Sequence, residues 1–316
     1  MGNRALSVCY ALVGVLSVCQ TERLSGQGQG RAEVFGYVQP RFEVTGDSGV
    51  FLVRRARLGV QGSITPWASY RIQADFRSWV HGGPAAVTGT DLWILLSGRH
   101  VAGQFGQYKA PFLYENLISS SVHELPDRTV ASELDAPFRD IGAQVTWTPD
   151  QRFALVGAVM NGEGANVTDN PDKRMMYVQR TTVTLIRGGG LQLGAAGAEK
   201  PDTTRWTVDG QLVRGAFLAR VAYLGSHRRS SDSDGRAWYA LAAYTLRPRR
   251  AQLLGRVEEY DPSDAVFGDR TRGYTLGAQI FFRGDDLKLQ ASYALYDEQG
   301  TEIKNNKAVV QVQVRF

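Results

Sequence analysis

The chain has 316 residues, 36 Lys and Arg against 31 Asp and Glu, and a formal charge of +5. With 21% charged residues and 43% hydrophobic ones it does not have the composition of a disordered chain, and its length allows one large domain or two ordinary ones. The basic excess is spread over strand-like segments and turns rather than gathered on helices or tails, which excludes the common nucleic-acid-binding pattern.

Arg4 precedes the apolar run ALSVCYALVGVLSVC, the layout of a secretory signal. The run is too short for a membrane-spanning helix, which takes about 20 residues. Ser17 and Cys19 suit a cut before Gln20, and a later cut near Gly28 is also open. Val18 disfavours a lipid-modified Cys19. Residues 1–28 are therefore assigned to a signal peptide and leader, and residues 29–316 to one β-barrel. Cys9 and Cys19 both fall in the leader, so disulfides and Cys-ligated metals are not expected in the mature chain.

Sixteen strand-like segments follow, at 33–44, 50–63, 67–80, 89–97, 100–109, 139–148, 152–161, 175–186, 190–198, 204–214, 217–225, 236–247, 250–259, 272–282, 286–296 and 306–316. No stretch between them reads as an amphipathic helix. The second segment, FLVRRARLGVQG, places Phe51, Val53, Arg55, Arg57, Gly59 and Gln61 on one face by period-two alternation. Arg54 falls on the opposite face. The third segment puts Arg71, Gln73, Asp75 and Arg77 together, and the turn ITPW makes the two segments a hairpin with their charged faces on one side.

Later segments show the complementary apolar face. In LKLQASYAL, Leu287, Leu289, Ala291, Tyr293 and Leu295 oppose Lys288, Gln290 and Ser292. In the last segment Ala308, Val310, Val312, Val314 and Phe316 oppose Gln311, Gln313 and Arg315. A soluble sandwich shares this alternation. The connections separate the two readings. Tight turns (ITPW, SGRH, TPDQ, RGGG, RGA, RPRR, RGDD) alternate with longer links almost throughout. The links TGDSG and EKPDTT are the short exceptions. Trp67, Trp79, Trp147, Trp206, Trp238, Tyr274 and Phe282 lie near strand ends. Short turns at one end, long loops at the other and aromatic girdles describe an antiparallel transmembrane β-barrel of the outer-membrane type.

That fold explains the arginines. The face away from lipid is a water-filled lumen, whereas a mid-membrane arginine facing lipid costs about 2–4 kcal/mol. Arg41, Arg55, Arg57, Arg71 and Arg77 are therefore expected to line the pore and attract anions, with Asp75 as counter-charge. Arg54 is expected on the lipid side near the external end, where it can snorkel toward headgroups.

The blocks FGYVQPRFEV, FLVRRARLGVQGSITPWASYRIQADF, GQYKAPF and RDIG, followed by NGEGAN and DN at 161–170, resemble the phosphate-selective porin O and P family. The resemblance is strongest over 33–170; later residues share mainly the strand rhythm. It implies a sixteen-stranded barrel in the bacterial outer membrane, often trimeric, with a long third loop folded into the lumen. Here that loop would be 110–138, entered from Lys109, which serves either selectivity or structure. Its acids Glu115, Glu124, Asp127, Glu133 and Asp135 face only Arg128 within the loop, so unless paired they oppose anion passage and weaken the case for strict phosphate specificity.

The function expected is passive diffusion of small solutes with a preference for anions such as phosphate. The alternatives are a non-conducting barrel acting in binding or adhesion, and an enzyme barrel. His81, His100, His123 and His227 fall on separate loops and turns, and no spacing suggests a catalytic triad or metal site. No cofactor is expected. Expected partners are outer-membrane lipid and lipopolysaccharide, small anions, further copies of the chain in a homotrimer, and barrel-assembly machinery reading Phe316 as a terminal signal.

Overall fold

The computed structural model describes residues 30, 32–77, 87–186, 188, 190–247, 250–300 and 303–316. The expected leader, Trp79 and His81 lie outside them. All sixteen strands form: Ala32–Thr45 (β1), Ser48–Thr65 (β2), Ala68–Asp75 (β3), Thr88–Ser97 (β4), Val101–Lys109 (β5), Arg139–Trp147 (β6), Phe153–Met160 (β7), Met176–Ile186 (β8), Leu191–Lys200 (β9), Thr203–Arg214 (β10), Phe217–Arg228 (β11), Ser233–Arg247 (β12), Ala251–Asp261 (β13), Thr271–Arg283 (β14), Leu287–Glu298 (β15) and Lys307–Arg315 (β16). Each pairs antiparallel with its sequence neighbours, and β1 closes the barrel on β16 through pairs such as Val38 with Val314 and Arg41 with Gln311. β3 ends at Asp75 rather than near residue 80. There the Asp75 carboxylate accepts the Arg77 backbone N–H at 3.1 Å, a local bond that competes with the ladder.

Alternation sets the two faces. Leu58, Ile72, Leu92, Ile94, Val310 and Val312 are exposed on the outer wall, while Gln311 and Gln313 are buried inside. An apolar outer surface of this extent fits lipid and would be an aggregation patch in water. Phe316 completes the closure. Its backbone N–H donates to Gly36 and its carbonyl accepts from Gly36, both at 3.0 Å. A Cβ on Gly36 would stand 2.8 Å from the Phe316 ring, so the glycine makes room for the terminal aromatic.

One irregularity corrects the expected facing of β2. The β1–β2 register shifts between Gln39, paired with Arg55, and Pro40, paired with Val53, leaving Arg54 as an extra residue. Pro40 has no N–H to give the ladder, and such positions favour bulges. The bulge reverses alternation along β2. Phe51 therefore does not share a face with Arg55. It pairs with Phe42 on the outer wall, ring centroids 4.6 Å apart. Nor does Arg54 snorkel to headgroups: its guanidinium reaches Glu133 of the 110–138 loop at 2.9 Å.

The loop is folded into the barrel, and it has structure that the sequence did not suggest. It carries the short helices Tyr114–Leu117 (α1) and Val130–Leu134 (α2), the second capped by the Thr129 side chain. Phe112, Leu113, Leu125 and Ala131 pack against an apolar patch on the inner wall. That patch includes Ala158 and Met160 (β7), Val178 (β8), Ala196 (β9), Leu224 (β11), Leu241 (β12) and Leu254 (β13). One side of the barrel thus has a hydrophobic interior, where apolar burial favours a docked loop over water.

Candidate functional site

The loop is tied to the wall as well as packed on it. Arg180 (β8) and Asp209 (β10) form a buried two-point pair, 2.7 and 2.8 Å. Arg180 also donates to the Phe112 carbonyl, and Asp209 accepts the Tyr114 backbone N–H at 3.2 Å. Gly194 on β9 leaves space for the pair, since a Cβ there would lie 2.1 Å from the guanidinium. Glu124 takes a two-point contact from Arg220 (β11), 3.0 and 3.1 Å. Asp135 accepts from Arg205 and Arg228. Glu115 receives the Thr129 hydroxyl at 2.6 Å and lies 4.0 Å from Arg256 (β13). Asp127 meets Arg41 at 2.7 Å and Lys307 (β16) at 2.9 Å. Although burial pushes the Asp127 carboxyl up, these two cations hold it below the usual carboxylate range.

Neutral groups complete the seam. A run of amides lines the inner wall: Gln311 donates to Gln290, Gln290 to Gln279 and Gln279 to Gln252. Gln290 and Lys288 donate to the His123 carbonyl, Gln313 to that of Ser121, and Gln39 to that of Ser120. Loop hydrogen bonds and ion pairs from the wall come from β1, β2, β5, β8, β10, β11, β13, β15 and β16. Among the described residues none comes from β3, β4, β6 or β7.

The five loop acids that appeared to oppose anion passage are therefore paired, each with a group distant in sequence. On the unanchored side the balance is different. Arg57 contacts Asp75 at 3.0 Å and the Tyr37 hydroxyl at 2.8 Å, and Arg139 (β6) contacts Asp91 (β4) at 2.9 Å. Among the described residues, Arg55 has only the neutral Gln39 amide, at 3.0 Å. Arg128 donates to the Ser120 hydroxyl at 2.9 Å and shares the Phe138 ring with Arg139, each 4.9 Å from its centroid. Arg71 lies 4.4 Å from the Phe35 ring. Among the described residues no carboxylate lies within salt-bridge distance of Arg55, Arg71, Lys109 or Arg128. Burial lowers the Arg128 guanidinium to about 10, with Arg57 and Arg139 adding to the effect against opposition from Glu115.

The expected site residues thus separate. Arg55, Arg57 and Asp75 come together as the hairpin predicts, with Arg57 directly opposite Asp75, while Arg71 lies opposite Gln61, four residues along the strand. Arg77 lies past the end of β3 and is exposed. Arg41 is engaged by Asp127 and Glu43 and belongs to the loop anchor. The Lys109 ammonium donates to the Leu117 and Ile118 carbonyls, at 3.1 and 2.7 Å, at the C-terminal end of α1. Arg139, Asp91 and the Arg180–Asp209 pair were not singled out from the sequence. Each is a single charge on an ordinary strand, and only the loop that meets it gives it a role. Arg128 was visible as the loop's one basic residue.

A family model described as phosphate-selective porin O and P matches residues 35–230. No curated protein matches the chain. Among solved structures, the barrel is similar to OmpT, an outer-membrane protein of Vibrio cholerae in its trimer form, with a TM-score of 0.67 and 13% identity over 92% of this chain and 100% of that one. It is similar to the outer-membrane channel DcaP of Acinetobacter baumannii, TM-score 0.67 and 11% identity over 90% and 97%. It also resembles an anion-selective porin from Comamonas acidovorans, TM-score 0.66 and 11% identity over 90% and 99%. Likeness at this level of identity establishes the fold.

Proposed function

Because the chain belongs to the phosphate-selective porin O and P family, and is an outer-membrane porin on that ground, we propose that it passes small solutes by diffusion with a preference for anions, phosphate among them. The observation that carries the reading is the imbalance beside the unanchored wall. There Arg55, Arg57, Arg71, Lys109, Arg128 and Arg139 face two carboxylates, Asp75 and Asp91, six positive charges against two negative. An anion about 4 Å from one such cation gains roughly 4 kcal/mol at an effective dielectric near 20. Pairing of the loop acids removes the objection that they repel anions. Donors without adjacent acids also suit phosphate oxygens.

Supporting expectations follow from the family. Residues 1–28 serve as an export leader removed before assembly, and the mature barrel associates as a homotrimer; the trimer form of the Vibrio cholerae OmpT neighbour supports the latter. We read the chain as a channel and not an enzyme. Phe316 is the signal read by the assembly machinery.

Reversal potential in a potassium chloride gradient tests the selectivity. The wild type should favour chloride at low salt, and the preference should fade as salt rises, because screening length falls to about 8 Å at physiological ionic strength. Arg55→Glu with Arg57→Glu should reverse the low-salt preference. Phosphate should compete with chloride in the wild type and lose that effect in the double variant. An unchanged potential in the variant would remove the proposal. A second reading has its own support, since the loop and the amide run fill the β13–β16 side of the lumen. A barrel that gives no steps in planar bilayers would favour a non-conducting binding role.

A further inference from the structure

Exposed arginines recur around the short-turn rim of the barrel. At the long-loop end, Lys304 has Asp47 at 2.9 Å, Arg229 has Glu199 at 2.9 Å and Arg272 has Glu259 at 2.7 Å, while Lys173 and Arg174 are exposed without a carboxylate partner among the described residues. At the short-turn end, Arg99, Arg152, Arg214, Arg250 and Arg283 are all exposed. They lie in or at the edge of five different turns, those joining β4–β5, β6–β7, β10–β11, β12–β13 and β14–β15, with Arg214 and Arg283 the last residues of β10 and β14. Among the described residues the first four have no side-chain hydrogen bond or ion pair, and Arg283 has only Asp286 at 3.8 Å. Among the described residues the acids of this rim are otherwise engaged. Asp150 accepts two backbone N–H groups, Asp285 holds Lys288, and Asp286 holds Arg315.

Position gives this ring a partner. Trp147, Phe217, Tyr244, Phe282 and Phe316 are exposed near the same strand ends. Such an aromatic girdle marks the level where acyl chains meet headgroups. Arginines in the turns just beyond it stand at phosphate depth, and the long side chain can lie along apolar surface while its head reaches outward. The arginines are distributed around the circumference. A docked protein would need them on one side, whereas a lipid leaflet surrounds the barrel.

We propose that the short-turn rim is a collar for anionic phospholipid headgroups of the periplasmic leaflet, with the guanidinium groups binding headgroup phosphates. The collar orders anionic lipid around the barrel and plays no part in choosing the permeating solute.

The test is native mass spectrometry of the detergent-purified full barrel, titrated with phosphatidylglycerol or phosphatidylcholine. The wild type should retain several phosphatidylglycerol molecules and few phosphatidylcholine. Arg→Gln at positions 99, 152, 214, 250 and 283 together should lower phosphatidylglycerol retention at least about tenfold, given that basic side chains near an anionic surface each contribute measurably. The long-loop control, Arg229→Gln with Lys304→Gln, should retain it. If the fivefold variant does not fold, the Arg99→Gln, Arg214→Gln pair should show a partial loss. Inorganic phosphate at millimolar concentration should not displace the lipid. Equal retention by all variants, or equal loss in the long-loop control, overturns the proposal. So does a fivefold variant that shifts reversal potential in phosphatidylcholine bilayers while retaining lipid, because the ring would then act on ions.

Discussion

The two sides of the lumen use the same residue, arginine, for different work. Beside β8–β16 and β1, Arg41, Arg180, Arg220 and Arg256 each meet a carboxylate, an apolar patch lies beneath the loop, and amides finish the seam. Beside β2–β6, Arg55, Arg71 and Arg128 meet amides, rings and hydroxyls but, among the described residues, no carboxylate within salt-bridge distance. Facing alone therefore does not make a lumen arginine an anion site. What decides is whether it meets a carboxylate, from the loop as for Arg41 and Arg220 or from the wall as for Arg180 and Arg256. On the first side charge is consumed in holding the loop; on the second, among the described residues, only the charges of Arg54 and Lys109 reach it by hydrogen bond or ion pair.

The most damaging way to break the contrast is to remove one half of the buried anchor. Asp209→Leu leaves the Arg180 guanidinium in the interior without its carboxylate, and such a loss costs about 3–5 kcal/mol. Urea unfolding in vesicles should show a drop of that size, with larger and noisier single-channel currents as the loop loosens. Arg180→Leu combined with Asp209→Leu should recover most of the stability, since the two leucines remove both buried charges. A single Asp209→Leu variant as stable as wild type would mean that the pair does not anchor the loop.

Facing can be tested next. Leu58→Arg and Ile72→Arg each place a charge on the outer wall and should cost about 2–4 kcal/mol near mid-membrane. Gln61→Arg faces the lumen on the same hairpin and should insert normally. Equal yields of folded barrel from the two faces would undo the assignment of inside and outside, and the comparison with it.

A smaller effect separates buried from open parts of the loop by pH. His123 is enclosed, and burial lowers its pKa well below the ordinary value, helped by Arg128, Arg220, Arg55 and Lys109. The imidazole stays neutral in the fold, while in the unfolded chain it protonates near 6.5. Stability present at pH 7 is therefore lost as pH falls below about 6.5, by up to about 1.4 kcal/mol per unit. His123→Gln should flatten that part of the stability profile. A slope identical in variant and wild type would assign the acid sensitivity to other groups.

The fold was legible because lipid imposes alternation on the outer face of nearly every strand, and the turn lengths record which end is which. The Arg57–Asp75 contact was legible because a tight turn fixes the hairpin register. The bulge at Pro40 was missed: alternation carried through FLVRRARLGVQG without interruption gives Phe51 and Arg54 the wrong faces, and the interruption originates on the neighbouring strand. Segments such as FALVGAVM and AWYALAAY held a further signal, since they are apolar at both parities, as a strand buried on both faces would be. That pattern is the docking patch for the loop. The ion pairs themselves were not legible, because Glu124 and Arg220, or Asp127 and Lys307, are joined only by the path of a long loop.

The finest test asks whether a free cation and an anchored one differ in the current. Arg55→Gln and Arg41→Gln each remove one positive charge from the lumen, so charge counting alone predicts equal effects. The geometry predicts unequal ones. Losing Arg55 removes a cation with no carboxylate partner, and its field is lost in full. At about 8 Å in water one unit charge contributes about 0.5 kcal/mol before screening. One screening length, about 8 Å at physiological salt, reduces this to about 0.2 kcal/mol, of opposite sign for chloride and potassium, a change of roughly twofold in their permeability ratio. Losing Arg41 leaves Asp127 with Lys307 at 2.9 Å and Arg54 at 3.7 Å, which damp the exposed negative charge locally. Its variant should change the permeability ratio less and raise open-channel noise more, because a loop anchor has gone. Measured at physiological salt on the same bilayers, equal shifts in the two variants would show that the carboxylate partner does not decide an arginine's role, and the distinction between the two walls would fail where it matters for transport.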